Sequence, residues 1–184
     1  MEAKFKYTPF YCEENIWHLA RNKRFQEFDT RVVLITGPGR HRELWYQRCS
    51  EHVTLPVSWD YHVVLLAWNE NWQVWDFDTT LELPVKASTY FHKTFRGPDN
   101  NFDNTNVLFR SIDAKEYIAN FCSDRSHMRL PSGDWAAPPP SWPPIVASRL
   151  SNLLDWLNIE SDGPGELLTL NQLIAFCSST PESS

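Results

Sequence analysis

Cys12 stands directly before Glu13-Glu14 and a run in which Ile16, Leu19 and Ala20 recur at helical spacing. The first turn of a helix leaves backbone N–H groups unpaired and carries the positive end of the dipole, so it favours a thiolate. Glu13 and Glu14 oppose that charge, so a thiolate here needs a cationic partner, for which an imidazolium is suited. His62 lies in WDYHVVLLAW (59–68), and Asp76 and Asp78 lie in WQVWDFDT (72–79); the two β-prone runs are separated by Asn69-Glu70-Asn71 and read as an antiparallel hairpin. With Glu70 at the centre of the turn, His62 faces Asp78 directly and Asp76 is its diagonal neighbour on the same side. Directly opposed Cβ atoms lie about 5 Å apart and diagonal ones about 7–8 Å, so either carboxylate can orient the ring. Nucleophile, base and orienter of a cysteine-based covalent chemistry thus follow in the order Cys, His, Asp, with the third member open between Asp76 and Asp78.

The remaining elements must position these groups. Residues 1 to 11 read as irregular or extended, and Glu13 to about Phe28 as a helix. Arg31 to Thr36 is a short β-branched strand closed by the turn Gly37-Pro38-Gly39, while His41 to Ser50 is open between helix and loop. Leu81 to Phe91 reads as an edge strand or loop broken by Pro84, and Asn100 to Asn106 as a turn. Val107 to Ile112 is a strand leading into a helix from Asp113 to Phe121, with Asp113 as cap and Glu116 at the capping-box position. Six of the thirteen prolines fall between Pro131 and Pro144, so this stretch is a polyproline-II crossing segment pinned by Trp135 and Trp142. Helices over Val146 to Leu157 and Thr169 to Cys177 follow, with a turn at 161–165 between them. The expectation is one domain over 1–184 with a frayed tail at 178–184, of α/β or α+β class around an antiparallel hairpin.

Composition narrows the function. A net charge of -6 and a pI near 5.5, without any Lys/Arg run, exclude a phosphate-neutralising surface, so no nucleic-acid partner is expected. The longest apolar runs, such as Val63 to Trp68, are too short to span a bilayer, and the N-terminus lacks the apolar stretch of a secretory signal. Cys12, Cys49, Cys122 and Cys177 form no CxxC pair and the histidines have no metal-ligand spacing, so neither a disulfide framework nor a zinc site is expected. The chain is expected to be cytoplasmic, with the nucleus as a second location, and to act as a monomer.

At four blocks the chain resembles a known family. FYCEENIW (10–17), WDYHVVLL (59–66), WDFDT (75–79) and SDRSHM (123–128) look like the signature blocks of protein N-terminal glutamine amidohydrolases, in the same order and at similar spacing. Likeness continues through Gly133-Asp134-Trp135, the proline-rich run and Leu168-Thr169-Leu170. The chain departs from the pattern in a shorter hairpin turn and in Leu168, where the family tends to have an aromatic residue. The resemblance implies an α-β-α sandwich with a mainly antiparallel sheet and a papain- or transglutaminase-like cysteine site. It puts the family's catalytic residues on Cys12, His62 and Asp76, and implies hydrolysis of the side-chain amide of an N-terminal glutamine through a thioester, with neither metal nor organic cofactor. It further implies a place for the product in N-degron-directed degradation.

Restriction to N-termini requires an acceptor for the substrate's α-ammonium group. Glu13, Glu14, Asp60 and Asp78 are the candidates in or beside the signature blocks, with Trp59 and Tyr61 as pocket walls. Arg125 and His127 read as structural hydrogen-bonding groups, and Asp78 as a brace of the site. Two other functions fit the residues: a transglutaminase- or papain-like enzyme acting on other amides, and a non-catalytic module that binds N-termini. An isolated cysteine is more often an inert buried thiol than a nucleophile; the company of His62 and the aspartates reverses that reading.

Overall fold

Two unbroken apolar runs become the centre of a six-stranded sheet, because strands covered on both faces need no polar side. They are β1 (Thr30–Thr36) and, after the short ladder of β2 (Arg42–Leu44) with β3 (Val57–Trp59), β4 (His62–Asn69). β5 (Asn71–Trp75), β6 (Val85–Lys86), β7 (Leu108–Asp113) and β8 (Glu166–Thr169) complete the sheet in the order β6-β5-β4-β1-β7-β8, with every neighbouring pair antiparallel. The computed structural model describes residues 5–39, 41–52, 55–95, 106–146 and 150–181.

Helices cover both faces. Val32, Leu34, Val63 and Leu65 point to the side covered by α1 (Cys12–Ala20), α3 (Ala114–Asn120) and α4 (Leu153–Leu157). Val33, Ile35, Val64 and Leu66 point to the side covered by α2 (Ala87–Thr94) and α5 (Leu170–Ser178). The alternation follows the two-residue period of a strand, so each face has its own apolar core. The protein is thus a mixed α/β fold with a mainly antiparallel sheet. No helix among the described residues is long and apolar enough to cross a membrane.

The hairpin forms in the expected register: Leu65 pairs with Trp75 and Asn69 with Asn71, around Glu70 at φ 60°. Val107 to Ile112 and its capped helix also form, displaced by one residue, and Asp113 accepts from the amides of Lys115 and Glu116. Several boundaries differ. The first helix ends at Ala20 instead of near Phe28, because the Asn22 side chain accepts the amide of Arg24 and starts a separate 3₁₀ turn that returns Phe25 to the core. Of the stretch from Leu81 to Phe91, only Val85–Lys86 is an edge strand. Ala87, Tyr90, Phe91 and Thr94 recur at helical spacing and form the buried stripe of α2. The ambiguous segment from His41 contributes the short β2, and Glu166–Thr169 is an edge strand where only a helix start was expected. That helix begins one residue later, with Thr169 and Gln172 forming a capping box. The helix expected from Val146 is formed only over Leu153–Leu157, with 147–149 outside the described residues. Positions 100–105 of the expected turn and 182–184 of the expected tail also lie outside them; Ser178 still belongs to α5.

The proline-rich segment crosses α1 as an irregular strap, held by a buried ion pair. Arg125 donates to both carboxylate oxygens of Glu14 at 2.8 Å and to the carbonyl of Trp142 at 2.8 Å, while the Trp142 indole donates to Glu14 at 2.7 Å. The Tyr11 hydroxyl donates to the carbonyl of Ala137 at 3.0 Å. Removing one partner of a buried pair leaves an uncompensated charge. Arg125→Met is therefore expected to cost about 3–5 kcal/mol, read as a fall in the denaturant midpoint. A loss under ~1 kcal/mol, the range of a surface pair, would show that the pair does not hold the strap.

Candidate active site

Cys12 is the first residue of α1, and the backbone before it is clamped. The Asn15 side chain accepts from the Thr8 amide and donates to the Thr8 carbonyl, both at 2.8 Å, so the turn leading into the helix closes on the helix itself. Phe10 takes φ 68° in that turn. Cys12 is buried, and its thiol has Glu13 Oε2 as its acceptor at 3.7 Å. Burial pushes its ionisation well above the usual thiol range, and the carboxylates of Glu13 and Asp78 push the same way. The helix start therefore does not yield a low thiol pKa, contrary to what its position suggests.

His62 opens β4 on the other side of the sheet, facing α2. β5 stops at Trp75, three residues short of the position opposite His62, and the chain turns through Asp76, Phe77 and Asp78. The turn brings Asp76 to the ring: His62 Nε2 donates to Asp76 Oδ1 at 2.8 Å. Asp78 comes within 4.8 Å of a ring nitrogen but makes no hydrogen bond to it. Its amide donates to Asp76 Oδ1 at 2.9 Å, and its carboxylate accepts the Tyr7 hydroxyl at 2.6 Å. Asp76 Oδ2 takes the Tyr90 hydroxyl at 2.9 Å and the Gln47 amide at 3.4 Å. Burial, the largest influence, would protonate Asp76, but the imidazole and these donors outweigh it and hold the carboxyl below its ordinary value. Burial likewise opposes charge on His62, and the Asp76 charge and hydrogen bond outweigh it, so the ring binds its proton more tightly than a free imidazole. Trp59 stacks on the ring at 5.2 Å between centroids. His62 Nδ1 has no hydrogen-bond partner among the described residues, so it is the nitrogen left for proton transfer.

Cys12 opens onto a cleft of about 420 Å³ lined also by Trp59, Asp60, Tyr61, Gly39 and His127. Of the expected binding residues, Trp59, Asp60 and Tyr61 are therefore in the wall. Glu13 is fully buried behind Tyr61, whose hydroxyl donates to it at 3.0 Å. Glu14 is spent on Arg125 and Trp142, which removes it from the candidates for substrate contact.

Residues 7–177 match the sequence profile of the family described as N-terminal glutamine amidase. The chain is 35% identical to the protein N-terminal glutamine amidohydrolase of Drosophila mojavensis, with 97% of this chain and 91% of that one covered. It is 36% identical to the proteins of the same name from Drosophila pseudoobscura pseudoobscura and Drosophila grimshawi, with 94% of this chain and 88% of each covered. The chain belongs to the N-terminal glutamine amidase family.

In this amidase several supporting groups have no sequence signal of their own. Tyr90 and Gln47 reach Asp76 only because α2 and the β2 region fold against the end of the hairpin. Arg42, 98% buried, donates to the carbonyls of Gly37, Pro38, Gly39 and Asp60 and so shapes the cleft rim. Gly37 has φ 147°, and a Cβ there would fall 2.1 Å from the Asn106 carbonyl, so no other residue fits. His62, Asp76 and Asp78 offer ligand atoms within 4.8 Å of one another, as a metal site would. In this arrangement Nε2 and Oδ1 are spent on each other, and Asp78 on Tyr7.

The His62–Asp76 pair couples stability to pH. The raised imidazole contributes stability that is full below its unfolded value of 6.5 and lost as pH rises through the folded value; the depressed carboxyl contributes stability that is lost as pH falls through its own folded value. Asp76→Asn is therefore expected to destabilise the fold more at about pH 5–6 than at about pH 9, and to lower the His62 pKa seen by NMR titration. An unchanged His62 titration would contradict the pairing.

Proposed function

We propose that this protein hydrolyses the side-chain amide of N-terminal glutamine on proteins and peptides, giving N-terminal glutamate and ammonia through a thioester on Cys12. The observation that carries the reading is a cysteine that opens to a cleft together with the buried His62–Asp76 pair, whose ring stacks on Trp59 of the same cleft, in a chain whose family match runs from residue 7 to 177. The resulting site is of the papain or transglutaminase kind, with Cys12, His62 and Asp76 as its catalytic residues.

Cys12 Sγ attacks the glutamine amide carbon as its proton passes to His62 Nδ1. The oxyanion is received by backbone N–H groups at the start of α1, which have no acceptor within the helix. Collapse breaks the C–N bond, and the His62 proton leaves with the nitrogen as ammonia. Water then gives a proton to the same nitrogen and attacks the thioester, and the C–S bond breaks to release the glutamate side-chain carboxyl while the imidazolium returns its proton to the sulfur. Asp76 holds the ring with Nε2 protonated, so that Nδ1 faces the reaction. With the thiol ionisation pushed up, the working resting state is neutral thiol and neutral imidazole, with proton transfer concerted with attack. The proposal includes action as a monomer, without cofactor, in the cytoplasm with the nucleus as an additional location.

Ammonia release from matched peptides beginning with Gln or Asn, or holding Gln internally, tests the assignment. Release is expected from N-terminal Gln alone, and none from Cys12→Ala; Asp76→Asn is expected to lower kcat by about 10⁴-fold on the serine-protease precedent. Release from internal Gln would replace the reading with a transglutaminase-like one, and no release from any peptide would leave a binding module. Because His62 takes up its proton above 6.5, kcat/KM is expected to fall about tenfold per pH unit below that raised value, measured as a pH profile on the Gln peptide.

A further inference from the structure

Glu13 is a costly residue beside a nucleophile. Its carboxylate is fully buried, and its Oε2 already has two donors, the Tyr61 hydroxyl at 3.0 Å and the Cys12 thiol at 3.7 Å. Its Oε1 has no hydrogen-bond partner among the described residues. His127 Nε2 lies 3.4 Å from Oε1 without the alignment of a hydrogen bond, and is instead 3.2 Å from the Tyr61 oxygen. Since the single Tyr61 proton goes to Glu13, Nε2–H must donate to Tyr61, and the chain of donation from His127 through Tyr61 ends on Glu13. Cys12, Tyr61 and His127 all line the cleft, so this carboxylate sits directly beneath its floor with one oxygen unsatisfied. A buried carboxylate oxygen without a donor costs free energy until a cation or donor arrives.

We propose that Glu13 is the receptor for the α-ammonium group of the substrate's first residue, reached between Tyr61 and His127. This rests on the reading of the protein as an N-terminal glutamine amidase. The other carboxylates are less suited. Glu14 is bound by Arg125, Asp78 accepts from Tyr7, and Asp60 is exposed, where water screens its charge. The reach fits, because four bonds of roughly 1.5 Å separate the α-nitrogen of glutamine from its amide carbon, and Glu13 Oε2 lies 3.7 Å from the attacking sulfur.

The arrangement makes the substrate part of the activation. The titratable groups acting on Cys12 are Glu13 on α1, Tyr61 just before β4, Asp76 and Asp78 after β5, and Tyr117 on α3, with His127 beside Glu13. After burial itself, the Glu13 charge is the strongest influence disfavouring the thiolate. An ammonium group on Oε1 offsets that charge only when an N-terminus is in place, so an internal glutamine would meet a less reactive sulfur as well as an unfilled receptor.

The test compares a peptide beginning with Gln against the same peptide with its α-amine replaced by hydrogen. Wild-type kcat/KM is expected to favour the amine on the order of 10²–10³-fold, and Glu13→Gln to bring the ratio to within about threefold. Asp60→Asn should leave the ratio unchanged. A Glu13→Gln variant that is folded and slows both peptides equally would overturn the inference, as would collapse of the ratio in Asp60→Asn. Should Glu13→Gln not fold, the wild type decides by its pH profile. The Gln peptide is expected to lose kcat/KM above about pH 8, where an α-amine deprotonates, with no such limb for the desamino peptide. Absence of that limb overturns the receptor while turnover stands, whereas absence of turnover on the Gln peptide overturns the amidase reading itself.

Discussion

A carboxylate taken fully out of water must be surrounded by donors or surrender its charge, and Asp76 meets that requirement with groups from separate parts of the chain. His62 comes from β4, Tyr90 from α2, Gln47 from the segment after β2, and the Asp78 amide from the turn that ends the hairpin. None of these donors reaches Asp76 until the sheet and the helix on that face have formed. The orientation of the imidazole is therefore a product of the whole second core. Because the ring is pinned through Nε2 and stacked by Trp59, it has little freedom to present a different nitrogen.

The end of the sheet is where the two helical layers come closest in function. α1 packs on one face and His62 points to the other, yet Cys12 shares a core with Val63, the neighbour of His62 in β4. β5 ends at Trp75 and leaves that part of β4 paired on the β1 side alone.

Negative charge is concentrated around this junction: Glu13, Glu14, Asp76 and Asp78 are all buried. Each is handled differently. Glu14 is neutralised by Arg125 and serves to tie the proline-rich strap to α1, Asp76 is shared with His62, and Asp78 is held by Tyr7. Glu13 has hydroxyl and thiol donors on one oxygen only. Burial and this field together push the Cys12 thiol's ionisation up.

Much of this was legible from residues alone. The strands around Val33 and Leu65 and the hairpin about Glu70 follow from short-range preferences, since a β-branched run and a polar turn act over a few residues. The capped helix after Asp113 is equally local. Spacing also named Cys12, His62 and a nearby aspartate, although it left Asp76 and Asp78 open until the resemblance pointed to the first. Short-range rules failed where contacts made elsewhere outweigh them. They overran the first helix past Asn22, read Leu81 to Phe91 as an edge strand or loop where most of α2's buried stripe lies, and missed the edge strand β8. What only the tertiary structure decided is which carboxylate holds the ring, which one is consumed by Arg125, and which is left with an open oxygen under the cleft. Those outcomes depend on hydrogen bonds between residues far apart in the chain, such as Glu14 with Arg125 and Tyr7 with Asp78, and on the dielectric that burial creates around them.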